Sequence, residues 1–189
     1  MPRLRPGSLL ISQPFLGDPN FERTVVLLCR HDDEDGTFGL VLNRSTALRL
    51  GDVLELPEPA DTGPLAEAPL LLGGPVQPDT LHFLHQRSDI AGAQPLGHNV
   101  YWGGDFSVLL GLLLSGELLP ETVRFYAGYS GWTAGQLAAE INENVWIVHP
   151  NDAGKVFTLD HDAFWQAILR EKGGRYRALS NYPLDPRLN

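Results

Sequence analysis

Val123-Arg124-Phe125-Tyr126-Ala127-Gly128-Tyr129-Ser130-Gly131-Trp132-Thr133-Ala134-Gly135-Gln136-Leu137-Ala138-Ala139-Glu140-Ile141 is the stretch on which the fold class turns. Residues 123–126 are β-branched, aromatic or long and predict a strand. Thr133 with Gln136 three residues on is a capping-box signature, which predicts a helix over 133–141. Gly128 and Gly131 between the two predict a tight strand-to-helix turn.

The pattern repeats outward from there. Residues 145–148 read as a strand, and Asp160 or Asp162 caps a last helix running to Arg170. Its i, i+4 apolar pairs are Phe164/Ile168 and Trp165/Leu169. Gly173-Gly174 ends it, and residues 176–189 form a polar, proline-containing tail. Upstream, Phe106, Leu109, Leu110, Leu113 and Leu114 recur at helical spacing between a capping Asp105 and a stopping Gly116. Residues 70–72, 81–85 and 99–102 predict strands. In the first half, 8–12, 24–29 and 38–42 are β-rich, and the last two flank the acidic loop 31–36 as a hairpin. Residues 48–56 predict a short helix with Leu50, Val53 and Leu54 on one face, and 57–69 a proline-rich loop. The fold class is α/β or α+β, a mixed sheet covered by helices in one compact domain. That domain spans residues 1–189, with its core at about 7–172 and a C-terminal tail at 173–189.

Composition narrows the function classes. The net charge of -9, with no basic cluster, disfavours nucleic acid, whose binding relies on Lys and Arg at phosphates. The lone Cys29 sits in an apolar run and reads as a small buried hydrophobe. No apolar segment has the length of a membrane span, and Leu9-Leu10-Ile11 is too short for a signal-peptide core. The expected location is the cytoplasm.

Four segments resemble the YqgE/AlgH family when taken together. They are Gly7-Ser8-Leu9-Leu10-Ile11-Ser12 with Asp18-Pro19-Asn20-Phe21; Gly39-Leu40-Val41-Leu42-Asn43-Arg44; Gly73-Gly74-Pro75-Val76; and Gly128-Tyr129-Ser130-Gly131-Trp132 running into Gly135-Gln136-Leu137 and Glu140-Ile141. Ser45 stands where the family pattern usually has proline. The resemblance implies a compact bacterial α/β fold and no particular reaction. Some members carry the label of transcriptional regulator.

Several residues are candidates for chemistry. In the turn 128–136, backbone N–H groups at a helix start could hold an anion beside Gly128, Ser130, Gly131 and Gln136, with Tyr129 or Trp132 stacking on a ring. The competing reading is a structural turn whose aromatics fill the core. Ser130 lacks the second glycine of a nucleophile elbow; a triad would need His149 or His161 with Asp152 or Asp160. Gly73 and Gly74 lack a phosphate-loop pattern and read as a strand exit. Asn43 and Arg44 follow a strand; Arg44 could bind a carboxylate or phosphate, or form a turn with a surface salt bridge. His82 and His85 point to opposite faces of a strand, and with His98 they lack zinc spacing. No catalytic set, metal site or cofactor is assigned.

The sequence therefore reads as a non-catalytic interaction or regulatory protein with an unidentified protein partner. The alternatives are a binder of a small anionic ligand or a hydrolase-like enzyme at residues 128–136, and, on the family label alone, a transcriptional regulator.

Overall fold

Alternation along the first strands sets how the sheet is built. The structure, a computed structural model, describes residues 3–58, 63–150 and 152–182. β1 (Leu9–Ser12), β2 (Val25–Asp32) and β3 (Gly36–Val41) run antiparallel to their neighbours. Leu9, Ile11, Val25, Leu27 and Cys29 enter one buried cluster; Leu10, Val26 and Leu28 enter another. Successive side chains on a strand face opposite ways, so a strand covered on both faces reads as an unbroken apolar run.

The chain continues through β4 (Ser45–Arg49), α1 (Leu50–Val53), β5 (Pro69–Leu72), β6 (Val76–His85), β7 (Gln94–Gly97), β8 (Val100–Trp102) and α2 (Phe106–Ser115). Then come β9 (Val123–Trp132), α3 (Gln136–Asn142), β10 (Trp146–His149), α4 (Phe164–Lys172) and α5 (Gly174–Leu179), with 3-10 turns at Pro120–Thr122 and Ala153–Phe157. The described strands form one sheet in the order β10-β1-β2-β3-β9-β6-β8-β7, with β4 beside β5 and β5 beside β9. The β5–β9 pair is parallel and makes the sheet mixed.

β10 and β7 end that order, a separation of roughly 33 Å in a flat sheet at about 4.8 Å per strand. Yet Ile147 of β10 and Leu96 of β7 share a buried cluster. The sheet therefore curls round this cluster, and Val156, Phe164, Trp165, Ile168 and Leu169 from the C-terminal helical segment fill it. α2 covers a second cluster through Leu109 and Leu113, and α3 covers a third through Leu137.

β9 organises the centre. One edge pairs with β6, from Val123↔His85 to Tyr129↔Val76. The other edge is shared: β5 takes Phe125 to Ala127, and β3 takes Ser130 to Trp132. Gly128 lies at the change of partner with φ 65°. Gly73 bridges the fork, its N–H donating to Ala127 O at 2.8 Å and its carbonyl accepting from Val41 N at 2.8 Å. A Cβ on Gly73 would stand 2.3 Å from Gly128 O, and one on Gly74 would stand 2.2 Å from Tyr129 O.

The mixed α/β architecture matches expectation, and several local readings need correction. β9 does not stop at Tyr126 but runs to Trp132, because its second half finds β3. Gly128 and Gly131 are thus strand residues, and the expected 128–136 turn shrinks to 133–135. α3 starts at Gln136, and only half the capping box forms: Thr133 N donates to Gln136 Oε1 at 3.0 Å. The acidic hairpin loop narrows because β2 extends through Asp32. β4 and β7 were not expected; both are short and largely polar or exposed. The 48–56 helix is only α1, with Leu50 buried and Val53 46% exposed. Neither Asp160 nor Asp162 caps α4, whose N-cap is Ala163.

Asp105 and Gly116 cap α2 as expected, the carboxylate accepting from Ser107 N and Val108 N; Leu114, expected inside, is 42% exposed. Gly173 ends α4, but Gly174 opens α5, whose Tyr176 and Leu179 pack on the main cluster. Residues 59–62 of the proline-rich loop and 183–189 of the tail lie outside the described residues. Among the described residues no helix is long and apolar enough to cross a membrane.

The fork predicts a contrast between two glycines. Gly74→Ala meets backbone at 2.2 Å and should lose about 3 kcal/mol or fail to fold. Gly103→Ala, also at positive φ but with nothing within 4 Å of its Cβ, should lose only about 1–2 kcal/mol. Urea denaturation of the two variants checks this; equal losses would mean that the fork's close packing contributes nothing special.

Candidate functional site

Gly131 is paired across the β9–β3 ladder with Phe38, so no side chain stands beside the Phe38 ring on β9. Tyr129, two residues back on the same face, fills that space: a Cβ on Gly131 would come within 3.2 Å of Tyr129 Cε2. The Tyr129 and Phe38 rings stack at 4.5 Å and 18°. Trp102 of β8 lies 4.7 Å from Phe38, and His82 of β6 stands edge-on to both Phe38 (5.1 Å, 68°) and Tyr129 (5.7 Å, 82°). Together they form the floor of an open cleft of about 570 Å³, rimmed by Arg30, Asp35 and Gln77. Such a volume is that of a small-molecule site. Tyr129, Trp102 and His82 remain half-buried.

His82 is oriented by a short chain of hydrogen bonds. Thr80 Oγ1 donates to Gln77 O at 2.7 Å and lies 3.1 Å from His82 Nε2. A hydroxyl has one proton to give, so toward His82 it accepts, and the imidazole carries its proton on Nε2. Burial holds the His82 pKa below the ordinary 6.5, which favours this neutral form. Gln77 itself is a non-glycine residue at φ 46°, an uncommon backbone state that marks the rim as constrained.

The expected site residues are distributed over several places. Gly73, Gly74, Gly128 and Ser130 meet at the fork of the sheet. Ser130 is fully buried and its hydroxyl donates to Gly73 O at 3.1 Å. His149 lies 3.6 Å from Asp152, the pairing a triad would need, and His161 Nδ1 bonds Leu42 O, but the Ser130 hydroxyl is bonded to Gly73 O and to neither histidine. Asn43 clamps two strand ends, accepting from Val25 N at 2.8 Å and donating to Arg23 O at 2.9 Å. Arg44 donates to Pro19 O and Glu22 O, holding the Asp18-Pro19-Asn20 turn through backbone carbonyls rather than through the expected surface salt bridge. Trp132 and Trp146 both donate their indole N–H to Glu140 Oε2, at 2.8 and 2.7 Å, and Gln136 Nε2 donates to Glu140 Oε1 at 3.0 Å. Of the ten candidates, only Tyr129, Gly131 and Trp132 line the cleft.

His85, on the opposite face from His82, is fully buried. Its Nδ1 accepts from Arg87 N, so Nε2 carries the proton and donates to Gly103 O at 2.9 Å. Burial also pushes up the Cys29 thiol, as suits a core residue.

Arg30, Phe38, Gln77, His82 and Trp102 were not grouped by sequence. They come from four strands, β2, β3, β6 and β8, and His82 stood out only beside His85. A usable signal was face parity: Phe38 and Tyr129 are aromatic strand residues beside glycines, an arrangement that leaves rings uncovered.

Comparison with known proteins agrees along the whole chain. A family model described as AlgH-like matches residues 9–177. A UPF0301 protein of Cytophaga hutchinsonii is 44% identical over 188 residues, which is 98% of this chain and 100% of its own. A UPF0301 protein of Chlorobium limicola is 41% identical, over 99% and 97% of the two chains. The solution structure of the AlgH protein from Pseudomonas aeruginosa superimposes with a TM-score of 0.71 at 31% identity, covering 97% of this chain and 98% of its own. A crystal structure of a Corynebacterium diphtheriae protein gives 0.74 over 96% and 95% of the chains at 23% identity, a likeness of fold alone.

Two outcomes follow from these contacts. Glu140→Ala leaves two buried indole N–H groups unpaired and should destabilise by about 2–3 kcal/mol with a red shift in tryptophan emission; an unshifted spectrum would contradict the shared carboxylate. His85, with its folded pKa below 6.5, is protonated first in the unfolded chain. Its contribution is therefore complete above about pH 6.5 and lost as pH falls toward the folded value. His82 and His149, also lowered by burial, act in the same direction. The urea midpoint should drop between about pH 6.5 and 5, and His85→Phe should flatten that slope.

Proposed function

The chain belongs to the AlgH-like family, and from that premise we propose that it is a non-catalytic binding protein acting through the aromatic cleft between β3, β9, β6 and β8. The observation that carries this reading is the Phe38–Tyr129 stack, held half-open with Trp102 and His82 around it. An interaction or regulatory protein needs a shaped recognition surface and no reacting group. Stacked rings supply binding area at small entropic cost, since each has only two side-chain torsions to fix. The hydrolase-like alternative loses support because the Ser130 hydroxyl is buried and engaged with Gly73 O. With the binding reading goes a cytoplasmic location, supported by a lone, buried cysteine that has no partner in the chain for a disulfide.

The test is a thermal-shift screen against nucleosides and nucleotides, phosphosugars, acyl-CoA, divalent metals and short duplex DNA. A ligand at 100 times its Kd stabilises by about 2.7 kcal/mol, a rise of roughly 5–10 °C for a domain of this size. Tyr129→Ala should abolish the shift. A shift that persists in Tyr129→Ala would remove the cleft from the account, and reproducible turnover lost in Ser130→Ala would overturn the non-catalytic reading.

A further inference from the structure

We propose that the cleft takes a flat, uncharged heteroaromatic ring of purine size and reads an N–H donor on its edge through Nδ1 of His82. This rests on the binding reading above and adds the chemistry of the ligand.

The tautomer carries the argument. Thr80 gives its only proton to Gln77 O, so Nε2 of His82 is the protonated nitrogen and Nδ1 is a lone pair. Nδ1 accepts no hydrogen bond from the described residues. The other imidazole fixed on the same strand differs in this respect. His85 has both ring nitrogens engaged, Nδ1 by Arg87 N and Nε2 by Gly103 O. His82 instead lines the aromatic cleft with one ring nitrogen unused.

Ring geometry says what the acceptor would meet. The imidazole stands at 82° to the Tyr129 ring. A flat ligand lying parallel to Tyr129 stands near-perpendicular to the imidazole, and the edge of such a heteroaromatic ring is where N–H donors able to reach Nδ1 lie. The strained Gln77 at the rim adds a side-chain amide that can both donate and accept, and its backbone carbonyl is the group that fixes Thr80 and so the His82 tautomer. Backbone strain of this kind concentrates at ligand clamps.

Charge decides against an anion. Arg30 and Asp35 both rim the cleft and offset one another, and the chain as a whole carries -9. Neither favours a phosphate or carboxylate over a neutral ring. The cleft volume of about 570 Å³ lies within the range of small-molecule sites and is ample for a nucleoside.

The probes are adenosine and purine riboside, the same nucleoside without its amino group, titrated into the full chain by calorimetry. The expected result is roughly three- to tenfold tighter binding of adenosine, the effect of one net hydrogen bond. His82→Phe, which keeps a ring and removes the acceptor, should bind the two nucleosides alike. His82→Asn, which places an amide oxygen near the position of Nδ1, should restore the preference. Equal affinities in the unmodified protein, or a preference that survives His82→Phe, would overturn the proposal while leaving the cleft as a binding site. Tyr129-dependent shifts from other compounds, with neither nucleoside bound, would overturn the ligand class. The absence of any Tyr129-dependent shift across the screen would instead remove the binding reading beneath it.

Discussion

One edge of β9 serves two partners, and the backbone has to pass between them without side chains. β5 takes the first half of that edge in parallel and β3 takes the second half in antiparallel. The wedge where they diverge is filled by Gly73-Gly74, packed so close to Gly128 and Tyr129 that any Cβ there would meet a carbonyl oxygen at well under van der Waals distance. Both backbone polar groups of Gly73 are used. Gly73 N–H goes to Ala127 O, and Gly73 O takes both Val41 N and the Ser130 hydroxyl. Buried backbone groups left unpaired are strongly destabilising, so this closure lets a fork exist inside the sheet at all.

The same fork decides what faces the cleft. In a regular strand, Tyr126 and Tyr129, three residues apart, would point to opposite faces. Here Tyr126 lies in the main buried cluster and Tyr129 packs against it. Gly128, at positive φ, shifts the parity by one step. The consequence runs down the rest of the strand: Tyr129 and Gly131 turn toward Phe38, while Ser130 and Trp132 turn away, one to the fork and the other to the third cluster. An aromatic ring rather than a hydroxyl is thereby delivered to the open side. A nucleophile reading of Ser130 and a stacking reading of Tyr129 are alternatives set by a single backbone irregularity, and the irregularity favours the ring.

The sequence made legible what is local. The α2 caps follow from Asp105 and Gly116 acting on their own turns, and the β2–β3 hairpin from two apolar runs joined by an acidic loop. What it concealed is tertiary. Gly128 and Gly131 look like turn residues because glycine permits turns, yet here one relieves a close approach between strands and the other makes room for a ring. Asn43 and Arg44 look like ligand-binding groups because they could hold an anion, yet their partners are backbone groups of residues 19–25. β4 and β7 carry too little apolar pattern to stand out, since their pairing is decided by neighbours. The four family segments are separate along the chain, but in space they form two joints. Asn43-Arg44 ties the second segment to the first, and Gly73-Gly74 joins the third to the fourth.

A curled sheet with a helical plug could cover all of its aromatic surface, and this one covers most of it. Trp165, Phe164, Tyr126 and Phe125 are buried to 2% exposure or less. The plug reaches Arg124 of β9, whose guanidinium lies 5.2 Å from the Phe157 ring. Trp102, Tyr129 and His82 keep part of their surface in water, although burying a large side chain fully is worth about 1.5–3 kcal/mol. Three rings left half-open at one place, beside an imidazole fixed in one tautomer and a strained rim residue, mark a surface on which stability has been given up locally. Elsewhere in the molecule the polar candidates are consumed by the fold itself: Ser130 by Gly73, Arg44 by a turn, Gln136 by Glu140. The cleft is where shape, aromatic area and an unused hydrogen-bond acceptor coincide, and the proposed recognition of a flat ring rests on that coincidence.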